Sequence, residues 1–291
     1  MQTRTAEALL ALALGLRGTS LLFSKIVLME VGPLTLIGIR FLISFAILGI
    51  IFNKKLRTVT GKEIFHAFIV GFCFFITMFF ELYGLKTTPA STTAFIENSA
   101  VVIIPIWHAI IFKKFPSKIT IVSALIAMVG IALLTLKGSH ISLSKGEFFV
   151  LISAISYSAT VISIDTFTAD DDSFNVGVFH LFFIGLLGII FSFIFENPGL
   201  PTSKLSIISL LYLAIICSGL GFTLQPIAQK YISADRAGLF TALNPLSAMI
   251  LGVIFLNERL SASGIIGAFL ILSSIFIPSA ANTGLLNKFK K

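Results

Sequence analysis

Residues 6–28 read AEALLALALGLRGTSLLFSKIVL, an apolar run of membrane-spanning length with an arginine near its middle. About 20 apolar residues in a helix cross the ~30 Å hydrocarbon core of a bilayer. Similar runs recur along the chain, and the predicted spans are 6–28, 33–52, 64–85, 91–112, 119–136, 147–167, 174–195, 206–230, 235–256 and 262–279. None shows the alternation of a barrel strand, so the sequence predicts an all-α membrane protein of ten transmembrane helices.

The composition agrees with a bilayer as the surrounding medium. Of 291 residues, 56% are hydrophobic and 12% charged, whereas an ordinary soluble domain has about 25% charged residues. The formal net charge of +8 could suggest nucleic-acid binding, but the charges lie between the apolar runs. Cys73 and Cys217 fall inside predicted spans and are interpreted as small buried hydrophobic residues. The first run lacks a small-residue cleavage site, so it is predicted to stay as a helix rather than act as a signal peptide.

The distribution of Lys and Arg among the loops predicts the orientation. With a cytoplasmic N-terminus, the inner loops and termini contain Arg4, Lys54, Lys55, Arg57, Lys62, Lys113, Lys114, Lys118, Lys230, Arg236, Lys288, Lys290 and Lys291. The outer loops contain Lys86, Lys137, Lys145, Lys204 and Arg259. Cytoplasmic loops carry the excess of basic residues, so both termini are predicted to be cytoplasmic in a multi-pass protein of the cell (plasma or inner) membrane.

The order of the spans suggests an internal repeat. A shift of 140 residues pairs Arg17 with Tyr157, and a shift of 144 pairs Ala90 with Ala234. Each half has five predicted helices, an odd number, so the second half enters the membrane from the opposite side. Inverted repeats with a site near their interface are a recurrent design of transporters. The predicted domains are residues 1–137, helices one to five, and residues 138–291, helices six to ten with a short basic cytoplasmic tail.

Several short motifs resemble one family. They are the stretch from Ser20 to Lys25 with Pro33 and Arg40, the Gly84–Leu85 and Thr87–Thr88–Pro89–Ala90 turn, Leu243–Asn244–Pro245, Leu256–Asn257–Glu258–Arg259–Leu260, and Gly264 with Gly267. Together they resemble the EamA-type transporters of the drug/metabolite transporter superfamily. That resemblance implies ten helices in two repeats, cytoplasmic termini, a central cavity, and efflux or exchange of amino acids, nucleobases, amines or other metabolites.

Arg17 is the main departure from the family pattern, because many members carry a Trp there. At 1.5 Å per residue, Arg17 lies near the bilayer midplane, where an unpaired Arg costs ~3 to ~10 kcal/mol or more. We therefore expect it to face a cavity or a partner. Two helical faces are predicted to form opposing walls of that cavity, Ala13, Arg17, Ser20 and Ser24 in the first span and Ser153, Ser156, Tyr157, Thr160 and Ser163 in the sixth.

Two carboxylates fall inside the outer third of the predicted spans. Glu97 lies about six residues inside its span, beside Asn98, and shares a helix face with His108. Glu81 is closer to the outer end of the third span. Either carboxylate could exchange protons or bind a substrate ammonium, and Glu97 is favoured because it is deeper. Arg40 lies at a comparable depth and is assigned to a structural ion pair.

The other polar residues in the spans admit two interpretations. Single Ser residues are often packing residues, because small side chains let helices approach closely. Gln225 and Gln229 beside Pro226 are assigned to hinge or packing roles. Asn244, which precedes Pro245, is retained as a candidate substrate contact. The candidate substrate-binding residues are Arg17, Ser20, Ser24, Glu97, Asn98, Tyr157, Thr160 and Asn244, with Glu97 and Glu81 as proton-coupling candidates.

Motifs of enzymes are missing from the sequence. It has no Gly-rich phosphate loop, no His-Glu-x-x-His and no Gly-x-Ser-x-Gly turn. Asp165 is a lone acid near the inner end of the sixth span, so an intramembrane aspartyl protease would lack its second carboxylate. We therefore predict no enzymatic activity, no cofactor, no metal site and, because ATP-binding motifs are missing, no ATP-driven transport.

The sequence predicts a secondary transporter, an exporter or exchanger, that moves a small polar metabolite by alternating access. An amino acid or a related amphoteric compound would suit a site with both an arginine and a carboxylate. One alternative is efflux of organic cations, and another is a channel or a non-transporting membrane receptor. The expected partners are a small-molecule substrate and membrane lipids, without nucleic acid, and the protein is expected to be a monomer or homodimer.

Overall fold

The computed structural model describes residues 1–113, 115–135, 144–256 and 261–282, and this part of the chain is helical without a strand. The helices are α1 Thr3–Gly18, α2 Ser20–Val27, α3 Pro33–Ile51, α4 Asn53–Leu56, α5 Gly61–Thr87, α6 Ala90–Asn98, α7 Ala100–Phe112, α8 Lys118–Thr135, α9 Lys145–Phe167, α10 Ser173–Phe195, α11 Lys204–Tyr212, a π-helix Leu213–Phe222, α12 Thr223–Gln229, α13 Ala234–Phe240, α14 Leu243–Leu256 and α15 Ala262–Asn282. The predicted all-helical class is confirmed.

Within the described residues, seven helices are long and apolar enough to cross a membrane. They are Thr3–Val27, Pro33–Ile51, Gly61–Thr87, Ala90–Phe112, Lys145–Thr168, Ser173–Phe195 and Lys204–Gln229. Two shorter apolar helices, Lys118–Leu134 and Ala262–Pro278, fall on the fifth and tenth predicted spans. The sequence-based expectations for Lys114, residues 136–143, residues 257–260 and residues 283–291 lie outside the described residues.

Besides the break between α13 and α14 at Thr241 and Ala242, three of the predicted continuous spans are interrupted, and hydroxyl side chains explain two of these three interruptions. The Thr19 hydroxyl donates to the Leu16 carbonyl at 2.7 Å, where α1 gives way to α2. The Ser99 hydroxyl donates to the Ile96 carbonyl at 2.6 Å, where α6 gives way to α7. Such side chains compete with the regular helical hydrogen bonds. The third interruption is the π-helix Leu213–Phe222, a rare form that is frequent at functional sites.

Glycines permit the closest helix crossings. A Cβ on Gly267 in α15 would lie 2.6 Å from the Gly130 carbonyl oxygen in α8. A Cβ on Gly188 in α10 would lie 2.6 Å from the Gly38 amide nitrogen in α3. Close backbone approach of this kind is how helices associate in a bilayer, where lipid tails are as apolar as the side chains.

These crossings belong to a larger set of helix contacts that surrounds a buried polar centre. Helix α5 packs on α9 and α10, α3 packs on α10, and α8 packs on α15. Helix α1 contacts α14, α12 and the π-helix. Arg17, Arg40, Glu81 and Glu97 are buried in this bundle, although each has a charged side chain.

Carboxylates bind the starts of other helices at one end of the bundle. Glu196, after α10, accepts hydrogen bonds at 3.0 Å from the amides of Leu34 and Thr35 at the start of α3. Glu30 accepts hydrogen bonds from Thr202 and from the hydroxyl and amide of Ser203, before α11. The hydroxyls of Ser203 and Ser206 lead the set of donors that holds the pKa of Glu30 well below its usual range. These contacts join the N-terminal half of the chain to the C-terminal half.

The two cysteines are free, as an apolar role requires. Cys217 is buried in the π-helix, which agrees with the sequence-based interpretation. Cys73 is only partly buried, so that interpretation holds less well for it.

Candidate functional site

An enclosed cavity lies where α1, α2, α5 and α6 meet the π-helix and α14. Its volume is about 10 Å³, room for about one water molecule. The residues that line it are Arg17, Gly18, Ser20, Leu21, Met78, Glu81, Glu97, Phe222 and Asn244. The structure therefore brings together Arg17, Ser20, Glu81, Glu97 and Asn244, all singled out from the sequence.

Arg17 is held by polar and aromatic groups from the second half of the chain. Its Nη1 atom donates to the Tyr157 hydroxyl at 3.1 Å and to Gln225 Oε1. Its guanidinium carbon lies 4.0 Å from the ring centroid of Phe222 and 5.0 Å from that of Tyr157. Contact between a guanidinium and an aromatic face stabilises the cation by ~0.5–2 kcal/mol. In the described part of the chain, Nε of Arg17 is buried without a hydrogen-bond partner.

The two carboxylates of the cavity, Glu81 and Glu97, are almost fully buried, at 3% and 7% exposure. They interact electrostatically with each other and with Arg17. Among the described residues, neither carboxylate is in salt-bridge contact with the guanidinium. The site is therefore a cavity lined by one guanidinium and two carboxyl groups, with no direct salt bridge between them in the described part of the chain. Oε2 of Glu81 also lacks a hydrogen-bond partner there.

Arg40 lies outside the cavity, beside hydroxyl groups. Its Nε donates to Ser218 at 2.8 Å, and its Nη1 donates to Ser24 at 3.5 Å. Its guanidinium also lies 4.9 Å from the ring centroid of Phe41 and interacts electrostatically with Glu81. Arg40 therefore has hydroxyl and aromatic partners. The ion pair that the sequence predicts for Arg40 stays a prediction.

Four predicted substrate contacts are outside the cavity lining. Tyr157 still contacts the site through its bond with Arg17, whereas the other three use their polar groups elsewhere. Ser24 is the partner of Arg40. The Asn98 amide donates to the Ala94 carbonyl one turn earlier, at 2.7 Å. The Thr160 hydroxyl donates to the Ser156 carbonyl and lies 3.2 Å from the Thr77 hydroxyl. Their polar groups are used in helix packing, which the sequence had offered as the alternative for such residues.

Gln225 and Phe222 are the site residues that sequence reasoning missed. Gln225 bonds Arg17 directly, and its Nε2 atom donates to the Tyr157 hydroxyl at 3.3 Å and to Gln229 Oε1 at 3.4 Å. The sequence did mark Gln225, because an amide is unusual in an apolar span. That amide was assigned to hinge or packing roles. Phe222 carried no signal, because it is one of 30 phenylalanines.

The site offers binding groups for charge rather than a metal centre. Over the residues that the structure describes, no group of three or more His, Cys, Asp or Glu side chains is arranged to hold a metal ion. An anion could be bound by Arg17, and an ammonium group or a proton could be bound by Glu81 or Glu97.

Comparison with known proteins gives a consistent result. The model of the EamA-like transporter family matches the chain twice, over residues 5–136 and 144–279. An "Uncharacterized transporter" of Archaeoglobus fulgidus is 25% identical over 274 residues, covering 94% of this chain and 85% of that protein. The "Uncharacterized transporter YetK" of Bacillus subtilis is 25% identical over 281 residues, covering 92% of this chain and 84% of its own length.

The fold also occurs in a solved protein. A crystal structure that is 17% identical in sequence superposes with a TM-score of 0.80 and covers 97% of this chain and 99% of the other. At this identity the likeness shows a shared fold only.

Proposed function

The chain belongs to the EamA-like transporter family of the drug/metabolite transporter superfamily and is a multi-pass membrane transporter, and we propose that its cargo is an amino acid or a related amphoteric compound. In this proposal the protein is a secondary exporter or exchanger. Arg17 binds the carboxylate of the cargo, and Glu97 or Glu81 binds its ammonium group or a coupling proton. Ser20 and Asn244 supply further polar contacts.

The observation that carries the proposal is the unpaired arrangement of charge around one cavity. Arg17, Glu81 and Glu97 line the same enclosed space, and none of them is neutralised by a direct salt bridge among the described residues. A zwitterion supplies one anionic and one cationic group, so it would pair with both kinds of side chain at once. An arginine near the bilayer midplane is costly unless a partner or water compensates its charge, and the carboxylate of the cargo would be such a partner.

The present cavity is too small for an amino acid, because it has room for about one water molecule. The proposal therefore requires the helices around it to separate when cargo enters. The glycine crossings and the interrupted helices near Thr19 and Ser99 are features that support such movement. We assign the described conformation to an occluded state between two open ones.

Alternating access is supported by the pattern of helix contacts. We number the ten predicted helices in order and match each helix of the first half with the helix five places later. Helix three (α5) contacts helix six (α9). The matching contact is that of helix eight (the π-helix and α12) with helix one (α1). The contact of α5 with α10 corresponds to that of the π-helix with α3, and the contact of α7 with α9 to that of α14 with α1. An inverted pair of five-helix repeats, residues 1–137 and 138–291, has this symmetry.

We further place the protein in the plasma or inner membrane with both termini in the cytoplasm, as a monomer or homodimer. The excess of Lys and Arg in the loops on the side of the termini supports that orientation. The proposal includes no enzymatic activity.

Counterflow in proteoliposomes tests the proposal. Purified protein is reconstituted with each unlabelled L-amino acid inside, and uptake of the same labelled amino acid is followed outside. We expect saturable counterflow of at least one of them, which is lost in Arg17→Leu and Glu97→Gln. Arg57→Leu, the same substitution at an exposed arginine, is the matched control and should transport like the wild type.

Four outcomes would contradict the proposal in different ways. Unchanged counterflow in both Arg17→Leu and Glu97→Gln would remove these residues from the site. Counterflow of a quaternary amine but of no amino acid would favour the organic-cation alternative. Flux without counterflow would indicate a channel, and no flux of any compound would favour a receptor.

A further inference from the structure

A second polar pocket lies at the end of the bundle where α1 begins and α15 ends. Its volume is about 360 Å³, which is within the range of small-molecule sites. Six polar residues of α7, of the start of α8 and of the start of α13 line it, namely His108, Ser117, Thr120, Ser233, Asp235 and Arg236. None of them lines the central cavity, so the pocket is a separate space.

Two of the charged groups near this pocket are already engaged. Arg236 Nε donates to Glu7 Oε1 at 2.7 Å, and its Nη1 donates to the Ile275 carbonyl at 3.3 Å. The Asp165 carboxylate accepts a hydrogen bond from the Ala234 amide, one residue before Asp235. These contacts fix the ends of α1, α9 and α15 around the pocket.

Asp235 and His108, in contrast, have unused polar atoms. Oδ2 of Asp235 lies 3.5 Å from Nδ1 of His108, and that contact lacks the geometry of a hydrogen bond. In the described part of the chain, Oδ1 of Asp235 and Nδ1 of His108 are both shielded from solvent and lack a hydrogen-bond partner. A buried polar atom without a partner is unfavourable, and the Asp235 side chain is 18% exposed and lines the pocket, so its carboxylate can accept from a bound group.

The charge around these atoms favours a cationic group. Asp165 interacts electrostatically with both His108 and Asp235, and the nearby guanidinium of Arg236 is paired with Glu7. A primary ammonium group carries one positive charge and three donors. It would bind the carboxylate of Asp235, which lines the pocket, and the hydroxyls of Ser117 and Thr120 would face the rest of the ligand.

The pocket and the central carboxylate belong to two consecutive helices. Glu97 lies in α6 and His108 in α7, the two helices that follow each other on either side of the interruption at Ser99. Val101 and Ile104 come between them and are fully buried. Ile104 packs against Gly238 of α13, where an added Cβ would lie 3.0 Å from the Ile104 side chain. An apolar layer therefore closes the route between the pocket and the cavity.

We propose that this pocket, lined by His108 and Asp235, is a second binding site for small molecules with a primary ammonium group. It is a vestibule in which the cargo is bound before it passes the Ile104–Gly238 layer, or after it. This role as a vestibule rests on the proposed function of the central site, whereas binding of the ammonium group does not.

Isothermal titration calorimetry of the purified full chain with propylammonium chloride tests the site, and butanol serves as a neutral ligand of similar shape. We expect binding of propylammonium and none of butanol. Asp235→Asn should weaken binding at least about tenfold, because it removes a charge-assisted hydrogen bond. Asp170→Asn, the same substitution at an exposed aspartate, should bind within about twofold of the wild type.

Asp235→Glu keeps the carboxylate and should retain binding, which separates a lost ligand contact from a lost fold. Wild-type protein that does not bind propylammonium, or Asp235→Asn that binds it as tightly as the wild type, would overturn the proposal. Weakening in Glu97→Gln alone would place the ammonium site in the central cavity, in which case the vestibule is refuted and the proposed function is not. Binding that depends on Asp235 in a protein without amino-acid counterflow would refute only the proposed function.

Discussion

Arg17 and Arg40 are two arginines buried in the same bundle, and they are held in different ways. Arg17 borders a cavity, contacts aromatic rings and an amide, and has two carboxylates across the same space. Arg40 has only 1% of its surface exposed and is bound by the hydroxyls of Ser218 and Ser24. Both positions carry the cost of a charge within a membrane. Arg17 borders the central cavity, a space in which a ligand could share that cost.

The difference separates a binding role from a structural one. A guanidinium enclosed by hydroxyls, as at Arg40, stabilises the packing of α3 on the π-helix. A guanidinium beside an empty space, as at Arg17, can exchange its partners when a ligand arrives. Burial alone does not distinguish these roles, because both side chains are almost fully buried.

The largest expected difference between the two regions is in ligand binding. Arg17→Leu should weaken binding of the amino acid that gives counterflow by about 10- to 150-fold, the equivalent of one charge-assisted hydrogen bond. Arg40→Leu should change that affinity by less than about threefold. Equilibrium binding of the labelled amino acid to purified protein measures both values. Equal losses in the two variants would show that the arginines act as one unit.

Stability should show the reverse order. Arg40→Leu removes the hydrogen bonds to Ser218 and Ser24 and should lower the free energy of unfolding by about 1–3 kcal/mol. Arg17→Leu should cost less, because its polar partners Tyr157 and Gln225 can still bond each other. Thermal unfolding in detergent with Arg57→Leu as control measures the order. A less stable Arg17 variant would contradict the structural role given to Arg40.

A methyl group on Gly18 tests whether the cavity depends on close packing of α1. The added Cβ would lie 2.3 Å from the Asn244 carbonyl oxygen and 2.5 Å from its Cα. Gly18→Ala should therefore separate α1 from α14 and destabilise the protein by about 1–3 kcal/mol. Gly49→Ala, where no atom lies within 4 Å of the added Cβ, is the matched control. Equal unfolding temperatures would show that α1 moves freely at this crossing.

A methyl group on Gly221 addresses Arg17 without changing its charge. The added Cβ would lie 2.8 Å from Cγ of Arg17, so the side chain has to shift. We expect Gly221→Ala to weaken amino-acid binding by a few-fold and to lower the unfolding temperature, because Cγ is near the base of the Arg17 side chain and the Ala13 carbonyl oxygen lies 3.2 Å from the added Cβ. Tighter binding would mean that the present position of Arg17 is unfavourable for the ligand.

The smallest effect is expected at the end of the bundle, far from both arginines. Hydrogen bonds hold the pKa of Glu30 below its usual range, so its contribution to stability is present above the ordinary carboxyl pKa and is lost as the pH falls through the lowered value. Glu30→Gln should be slightly less stable than the wild type at neutral pH, and the gap should narrow on acidification. Unfolding temperatures across this range measure it. A constant gap would show that the carboxylate charge is not what joins these helix ends.

The sequence predicted the charged residues of the site better than the polar ones. Arg17, Glu81 and Glu97 were identified because charge in an apolar span is expensive, and this cost does not depend on helix geometry. Ser24 and Thr160 were placed by extending a straight helix face. The first span is interrupted at Thr19, so it does not present one straight face. The Thr160 hydroxyl bonds a carbonyl of its own helix. Gln225 was assigned to packing or a hinge, because an amide in a span can serve packing or binding, and its contact with Arg17 has no counterpart in hydropathy.

The fold shows the same division. Helical class and most helix positions follow from apolar length, since the bilayer imposes it. The π-helix Leu213–Phe222 and the interruption at Ser99 depend on single hydrogen bonds and local geometry, for which hydropathy carries no signal.

The crossing of α8 with α15 has a consequence for biosynthesis. Gly130 of α8, which spans Lys118–Thr135, packs against Gly267. Gly267 belongs to α15, which begins only at Ala262. More than one hundred further residues therefore leave the ribosome before α8 meets this neighbour. Until then, the surface around Gly130 faces lipid or a helper protein of the insertion machinery. Chains truncated before Ala262 should consequently be targets for membrane proteases, even though most of the central cavity has already been synthesised.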